Sequence, residues 1–251
     1  MIRRVSRCME TANSSLQPMR NLHESMCTTF VHSRALKMSS IKAAAATAES
    51  NWKLYYFNVT GVAEPLRYLL HYCKVPYQDV RFEYEDWINV YKKVMPMEQV
   101  PVLEIDGVKY HQHLSICRYL AKKYNLYGDD DLEAMRIDAA LDDINDIRTE
   151  IGKYYNEVDD QVKPVLKDRV LAKIPFYVDK FENQVARNGG HFVNGKLTLV
   201  DIYYAGIVEI MSNIVGENIN EGKPCLTKLI SKIRTFQDIK VYLETRPTTV
   251  L

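Results

Sequence analysis

Glycine and proline are scarce in this 251-residue chain, at 10 and 9 residues, which excludes collagen-like and low-complexity architectures. No stretch approaches the roughly 18 uninterrupted apolar residues of a membrane-spanning helix. Neither sign of charge dominates. The 33 Lys+Arg against 32 Asp+Glu leave a net charge of +1, so no global field draws nucleic acid. The five cysteines (Cys8, Cys27, Cys73, Cys117, Cys225) are odd in number and lack any C-x-x-C. A disulfide framework or a zinc site needs paired spacing, so neither is expected, and a reducing compartment is. Cys73 and Cys117 read as small buried hydrophobes within helical runs. Also missing are G-x-G-x-x-G, a G-K-[ST] phosphate loop, H-E-x-x-H and G-x-S-x-G, and the six histidines are not spaced as ligands. No metal and no resident cofactor are expected.

What is present suffices for a packed core: 47% of residues are hydrophobic and 26% charged. The length suits one large domain or two small ones. Residues 1–50 stand apart, with seven bases and three acids, while the remaining 201 residues carry a net −3. This Arg-rich, acid-poor start, rich in Ser, Thr and Ala, resembles a mitochondrial transit peptide. A disordered extension is the plainer reading, since Met38-Ser39-Ser40 would also serve as a beginning. Cytoplasmic location is the expectation for the folded part.

From Asn51 onward the pattern is periodic. Residues 53–58 are aromatic and strand-like, and Glu64-Pro65 opens an apolar helical run. Residues 78–84 alternate, with Val80, Phe82 and Tyr84 on one face, and 85–94 read as a short helix. Two short strands, 101–105 and 108–111, flank Asp106-Gly107, a two-residue hairpin signal, and 114–124 are helical. Strand–helix–strand favours parallel pairing and the hairpin adds an antiparallel pair. The expected product is a thioredoxin-like α/β domain over 51–127. Strand signals stop after Gly128. Leu132, Met135, Ala139, Ile144, Ile147 and Ile151 suggest one long helix, 164–187 another, and Thr198 with Asp201 a capping box opening a third. Two shorter helices, 226–235 and 239–245, complete an all-helical domain over 128–251.

The candidates for chemistry are Tyr56 at the end of the first strand, Trp87 and Lys92 in the following segment, the Val100-Pro101 turn, and Gln112-His113 at a helix start. Singly, each has a plain structural explanation. A strand tyrosine packs, a tryptophan anchors a core, a lysine is solvated, and a proline before a strand makes a turn. Asp138, Asp142 and Asp146, four residues apart, read as a solvated helix face.

In order, the segments KLYYFNVTGVAEPLRYLL, EDWINVYKKVMPMEQVPVLEIDG, HQHLSICRYLAKKYNL and GKLTLVDIYYAGI carry a resemblance. From about Trp52 to Leu251 the chain resembles the glutathione transferases, more narrowly the sigma class, which includes insect and nematode members and the haematopoietic prostaglandin D synthases. The resemblance implies that Tyr56 gives its hydroxyl hydrogen to the glutathione sulfur. Tyr55 competes for that role, but alternation sends it to the other sheet face. It implies a cis-proline turn at Val100-Pro101, where Gln99 and the Val100 backbone meet the cysteinyl part. Trp87 and Lys92 would hold the glycyl carboxylate, and Gln112, His113 and the following amides the γ-glutamyl carboxylate. Asp146 would reach across a homodimer interface to the α-amino group. Glutathione is then a co-substrate and the second partner a hydrophobic electrophile, such as a lipid aldehyde or hydroperoxide.

Three positions depart from the family pattern. Val62 stands where arginine is common, Glu98 where glycine is, and His113 where serine follows the glutamine. From the last comes an expectation: His113, titrating near 6.5, should bind the glutathione carboxylate more tightly as pH falls. Prostaglandin isomerisation and a non-catalytic role like that of lens S-crystallins are the alternatives the same resemblance allows.

Overall fold

The computed structural model describes residues 51–249. The readings of residues 1–50, as an extension or a targeting segment, lie outside these, as do the last two residues of the helical domain.

The chain runs β1 (Trp52–Phe57), a 3₁₀ turn (Gly61–Ala63), α1 (Glu64–Tyr72), β2 (Gln78–Phe82), an irregular helical segment over 84–98, β3 (Val102–Ile105), β4 (Val108–His111) and α2 (His113–Lys123). Then come α3 (Asp131–Asn156), α4 (Val162–Arg187), α5 (Leu199–Val215), α6 (Pro224–Arg234) and α7 (Gln237–Thr245). The sheet order is β2-β1-β3-β4, with β1–β2 parallel and the other pairs antiparallel. This is the thioredoxin-like arrangement followed by an all-helical half, as the sequence pattern leads one to expect. Pro65 sits in the first turn of α1, where a missing N–H costs nothing. Asp106 and Gly107 turn the β3–β4 hairpin with φ of 51° and 84°, the positive values that a tight two-residue turn demands.

Alternation along β1 sorts its side chains. Trp52, Leu54 and Tyr56 join the large core shared by α1, α2 and the helical half, whereas Tyr55 and Phe57 face a small cluster of Phe82, Trp87, Met95 and Val102. The two halves meet chiefly where α1 packs on α5. There Gly206 lets the backbones approach so closely that a Cβ would lie 2.9 Å from Pro65 Cα. Asp201 is fully buried and accepts from the amides of Thr198 at 2.7 Å and Phe192 at 2.9 Å, so the expected capping box forms.

Three local expectations need correction. Strand β2 stops at Phe82, and Tyr84 begins the irregular segment because the chain leaves the sheet at Glu83. The expected helix over 85–94 is a succession of single turns of α, π and 3₁₀ type, ending at Met95, which is extended. In α3, Leu132, Met135 and Ala139 are exposed, and the buried stripe is Ile137, Leu141, Ile144, Ile147 and Ile151. Five residues separate Ala139 from Ile144, about 140° of helical rotation, so the two cannot share a face. Cys117 is buried as expected. Cys73 is half-buried, with burial pushing its thiol up to about 12.

Gly206→Ala is expected to destabilise the protein by about 1–3 kcal/mol, because the contacting atoms are Pro65 backbone and cannot swing aside. Urea unfolding followed by circular dichroism measures this.

Candidate active site

The strand registers place the candidate residues at one end of the sheet. Tyr55 pairs with Val102, and Val102 with His111, so Tyr56, Pro101 and Gln112 each lie one residue beyond that row. Phe57 pairs with Phe82, which puts the start of the 84–98 segment at the same end. The carboxyl ends of β1, β2 and β4 and the start of β3 therefore converge.

Tyr56 is half-buried, and its hydroxyl oxygen accepts from the Val62 amide at 3.3 Å. That contact spends an oxygen lone pair and leaves the phenolic hydrogen free to be donated. Burial pushes the phenol above its ordinary pKa, while the Val62 amide and the charges of Arg67 and Arg148 pull it back. The net shift is upward, so Tyr56 stays protonated at neutral pH. Gly61, at φ 49°, makes the approach possible: a Cβ there would stand 2.5 Å from the Tyr56 hydroxyl. Beneath the ring lies the Arg67 guanidinium, 5.9 Å from its centroid. Tyr55, the competitor, donates to Glu104 at 3.2 Å on the opposite face, and burial followed by Glu104 pushes its pKa up to about 12.

Trp87 is buried, stacked on Phe82 at 6.0 Å and edge-on to Phe57. Tyr91 stacks on Phe82 at 4.4 Å, turned into the small cluster, whereas the Lys92 ammonium lies 3.6 Å from Glu98. Of that neighbouring pair, Lys92 is the one with a charge to offer. Gln99 is exposed and extended, Val100 half-buried, and Pro101 buried, with the Val100-Pro101 peptide cis. Gln112 is exposed at φ 70° and stands at the N-cap of α2, where its carbonyl accepts from Ile116 at 3.1 Å.

His113 behaves otherwise than expected. Its ring turns toward the helical half, stacks on Tyr203 of α5 and shares a hydrogen bond with that hydroxyl at 3.1 Å. Burial first, then the charges of Arg148 and Arg118, lower its pKa to about 3. A histidine so placed is neutral from pH 6 to 7.5, which runs against the expected pH-dependent carboxylate contact. Asp146 is exposed on α3, in the helical half, and the strand registers that gather the other candidates do not reach it. Its stripe is only partly a solvated face, since Arg118 binds Asp138 at 2.6 Å and Asp142 at 2.7 Å.

Sequence reasoning missed Gly61, Arg67, Arg148 and Tyr203. A glycine shortly after a strand and an arginine on an apolar helix face were the available signals for the first two. A groove of about 780 Å³ between α5 and α6 is lined by Ser212, Asn218 and Thr227 and holds none of the candidate residues. No group of three or more His, Cys, Asp or Glu able to hold a metal occurs among the described residues. No described helix is long and apolar enough to cross a membrane.

Residues 62–123 match the family model of the glutathione S-transferase N-terminal domain, and 145–246 that of the C-terminal domain. The chain belongs to the glutathione S-transferase family of enzymes. A glutathione S-transferase of Anopheles gambiae is 41% identical over 203 residues, covering 79% of this chain and 98% of that one. Glutathione S-transferase S1 of Drosophila melanogaster is 40% identical over 200 residues, 79% of this chain and 80% of its own. Among solved structures, a prostaglandin synthase D of Nilaparvata lugens superposes with a TM-score of 0.75 at 39% identity, covering 79% of this chain and all 100% of its own. Rat hPGDS bound to a quinoline gives 0.73 at 29%, over 80% and 100%.

This geometry has two measurable consequences. Glu98 adopts φ 49°, a conformation that costs a non-glycine residue about 1–2 kcal/mol, and it also occupies Lys92. Glu98→Gly should therefore raise the melting temperature, measured by differential scanning calorimetry. For His113, the folded pKa lies below the unfolded value near 6.5, so its contribution is complete above about 6.5 and is lost as pH falls. Below that, only the unfolded chain takes the proton, and stability drops by up to about 1.4 kcal/mol per pH unit. His113→Gln should flatten the denaturation free energy between pH 6 and 4 by about that slope, and glutathione affinity should show no inflection due to His113 between pH 7.5 and 6.

Proposed function

We propose that the chain is a sigma-class glutathione transferase that uses Tyr56 to hold the glutathione thiolate. The carrying observation is the Tyr56 hydroxyl, which receives the Val62 amide and keeps its own hydrogen to give. A free thiol, pKa about 8.5, is a few per cent thiolate at neutral pH. A hydrogen bond donated to the charged form lowers that pKa. The thiolate then forms a C–S bond with an electrophilic carbon, and the leaving group departs with its electron pair. With a hydroperoxide it attacks the terminal oxygen, giving a sulfenic acid and an alcohol, and a second glutathione closes the disulfide with loss of water.

In this reading the Val100 backbone pairs with the cysteinyl part, as an added strand does, beside Gln99 and Pro101. Trp87 N–H and the Lys92 ammonium take the glycyl carboxylate once Glu98 yields it. Gln112 and the first amides of α2 take the γ-glutamyl carboxylate at the positive end of that helix. His113 contributes packing against Tyr203 beside it. Asp146 comes from a second copy, and exposed Leu132 and Met135 on α3 and Phe176 on α4 supply apolar surface for a homodimer. Glutathione is consumed as a co-substrate in the cytoplasm, and lipid aldehydes and hydroperoxides are the electrophiles. Prostaglandin D synthesis is the second reading, supported by the names of the Nilaparvata lugens and rat structures. The free Tyr56 hydrogen argues against a crystallin-like role.

Tyr56→Phe is expected to leave glutathione affinity nearly unchanged while raising the bound thiol pKa by about 1–2 units, the worth of a hydrogen bond to a charged group. Ultraviolet titration of the bound thiolate reads this, and an unchanged thiol pKa would sink the assignment. A matching loss in conjugation of an aryl halide should accompany it.

A further inference from the structure

Arg148, Gly152 and Tyr155 are spaced four and three residues apart on α3, so they lie along one face of that helix. Arg148 and Tyr155 both act electrostatically on Tyr56, and Arg148 acts on His113 and Tyr203 as well. This face therefore lies within electrostatic reach of the phenol. Between the two side chains the helix is uncovered: a Cβ built on Gly152 would meet no atom within 4 Å. Glycine weakens a helix interior relative to alanine, and no neighbour here requires one. The stripe rises about 10 Å along the helix.

Arg148 differs from the arginines around it. Arg67 is held by Glu64 at 3.1 Å and Asp79 at 3.0 Å, and Arg118 by Asp138 and Asp142. Arg148 donates only to neutral groups of its own helix, Nε to Asn145 Oδ1 at 3.0 Å and Nη2 to Thr149 Oγ1 at 2.9 Å. Among the described residues it has no carboxylate partner, and its Nη1 has no protein acceptor. His113 is neutral and Tyr56 protonated, so neither neighbour supplies an anion. A half-buried guanidinium, fixed by two hydrogen bonds and lacking a counter-charge, is preorganised for an anion from outside.

We propose that Arg148 sets specificity for the second substrate by binding a carboxylate that the electrophile carries, its apolar body lying along Gly152 toward Tyr155. The inference rests on the transferase reading and names the substrate class: carboxylate-bearing electrophiles.

The test uses one reactive carbon in two charge states, ethacrynate and its neutral amide, with glutathione saturating. The wild-type chain should show kcat/KM at least about tenfold higher for the acid, the discrimination that a hydrogen bond to a charged group supplies. Arg148→Met should bring the acid-to-amide ratio close to one, and Arg148→Lys should keep part of it, with folding checked by circular dichroism. A wild-type ratio near one, with both compounds turned over, overturns the inference and leaves the transferase standing. An equal loss on both compounds in Arg148→Met, with a raised pKa of the bound thiol, assigns Arg148 to the thiolate and overturns it too. Conjugation of neither compound, with no heat of glutathione binding, defeats the transferase reading and this inference with it.

Discussion

The buried guanidinium of Arg67 ties together the parts on which the site depends. It donates to the carbonyls of Val59 at 2.9 Å and Thr60 at 3.2 Å, which fixes the loop leaving β1. That loop delivers Gly61 and Val62 against the Tyr56 hydroxyl. Through Asp79 the same side chain binds β2, and through Glu64 it meets the end of the chain, because Glu64 also accepts from Tyr242 at 2.9 Å and pairs with Arg246. Burying a charge costs several kcal/mol unless it is paired, and removing one partner of such a pair commonly costs about 3–5 kcal/mol. An arginine with no exposure is thus tolerable only because two carboxylates and two carbonyls surround it. The reactive phenol rests on this arrangement at one remove, since Arg67 lies under its ring.

Around that anchor, sheet geometry does the assembling. A parallel β1–β2 pair and an antiparallel hairpin bring three strand ends and one strand start to a common edge. Residues as distant as Tyr56 and Gln112 come to one row of the sheet, with Pro101 between them. The helical half then closes over the edge through α1 against α5, where Gly206 sets the spacing and Asp201 pins the start of α5. Tyr203, three residues before that glycine, reaches back to His113. Packing between the halves and chemistry at the edge therefore share one helix.

Much of this was legible where structure is local. Pro65 opening a helix, Asp106-Gly107 turning a hairpin, and Thr198 with Asp201 capping a helix are each decided within a few residues. Tyr56 and the cis Val100-Pro101 turn were reached through resemblance, since alone each has a duller explanation. What failed was set at a distance or by phase. The 84–98 segment is held by ring packing among Phe57, Phe82 and Trp87, which no periodicity announces. Leu132 and Met135 mimicked a core stripe until the helical phase was fixed by Ile144 and Ile151. The burial of His113 escaped the sequence because it is set by packing against a residue 90 positions away.

The charges near the site partition in a way that constrains its chemistry. Arg67 and Arg118 are each matched by two carboxylates, and Lys92 by Glu98. His113 adds nothing, because burial keeps it neutral, and Tyr56 adds nothing, because burial keeps its proton. Among the described residues that act electrostatically on the phenol, Arg148 is the cation without a carboxylate partner. A phenol that does not ionise serves as a donor rather than as a base. With a donor and an unmatched cation near it, the space beside Tyr56 favours negative charge, and no described carboxylate pairs with that cation. The ligand has to bring it.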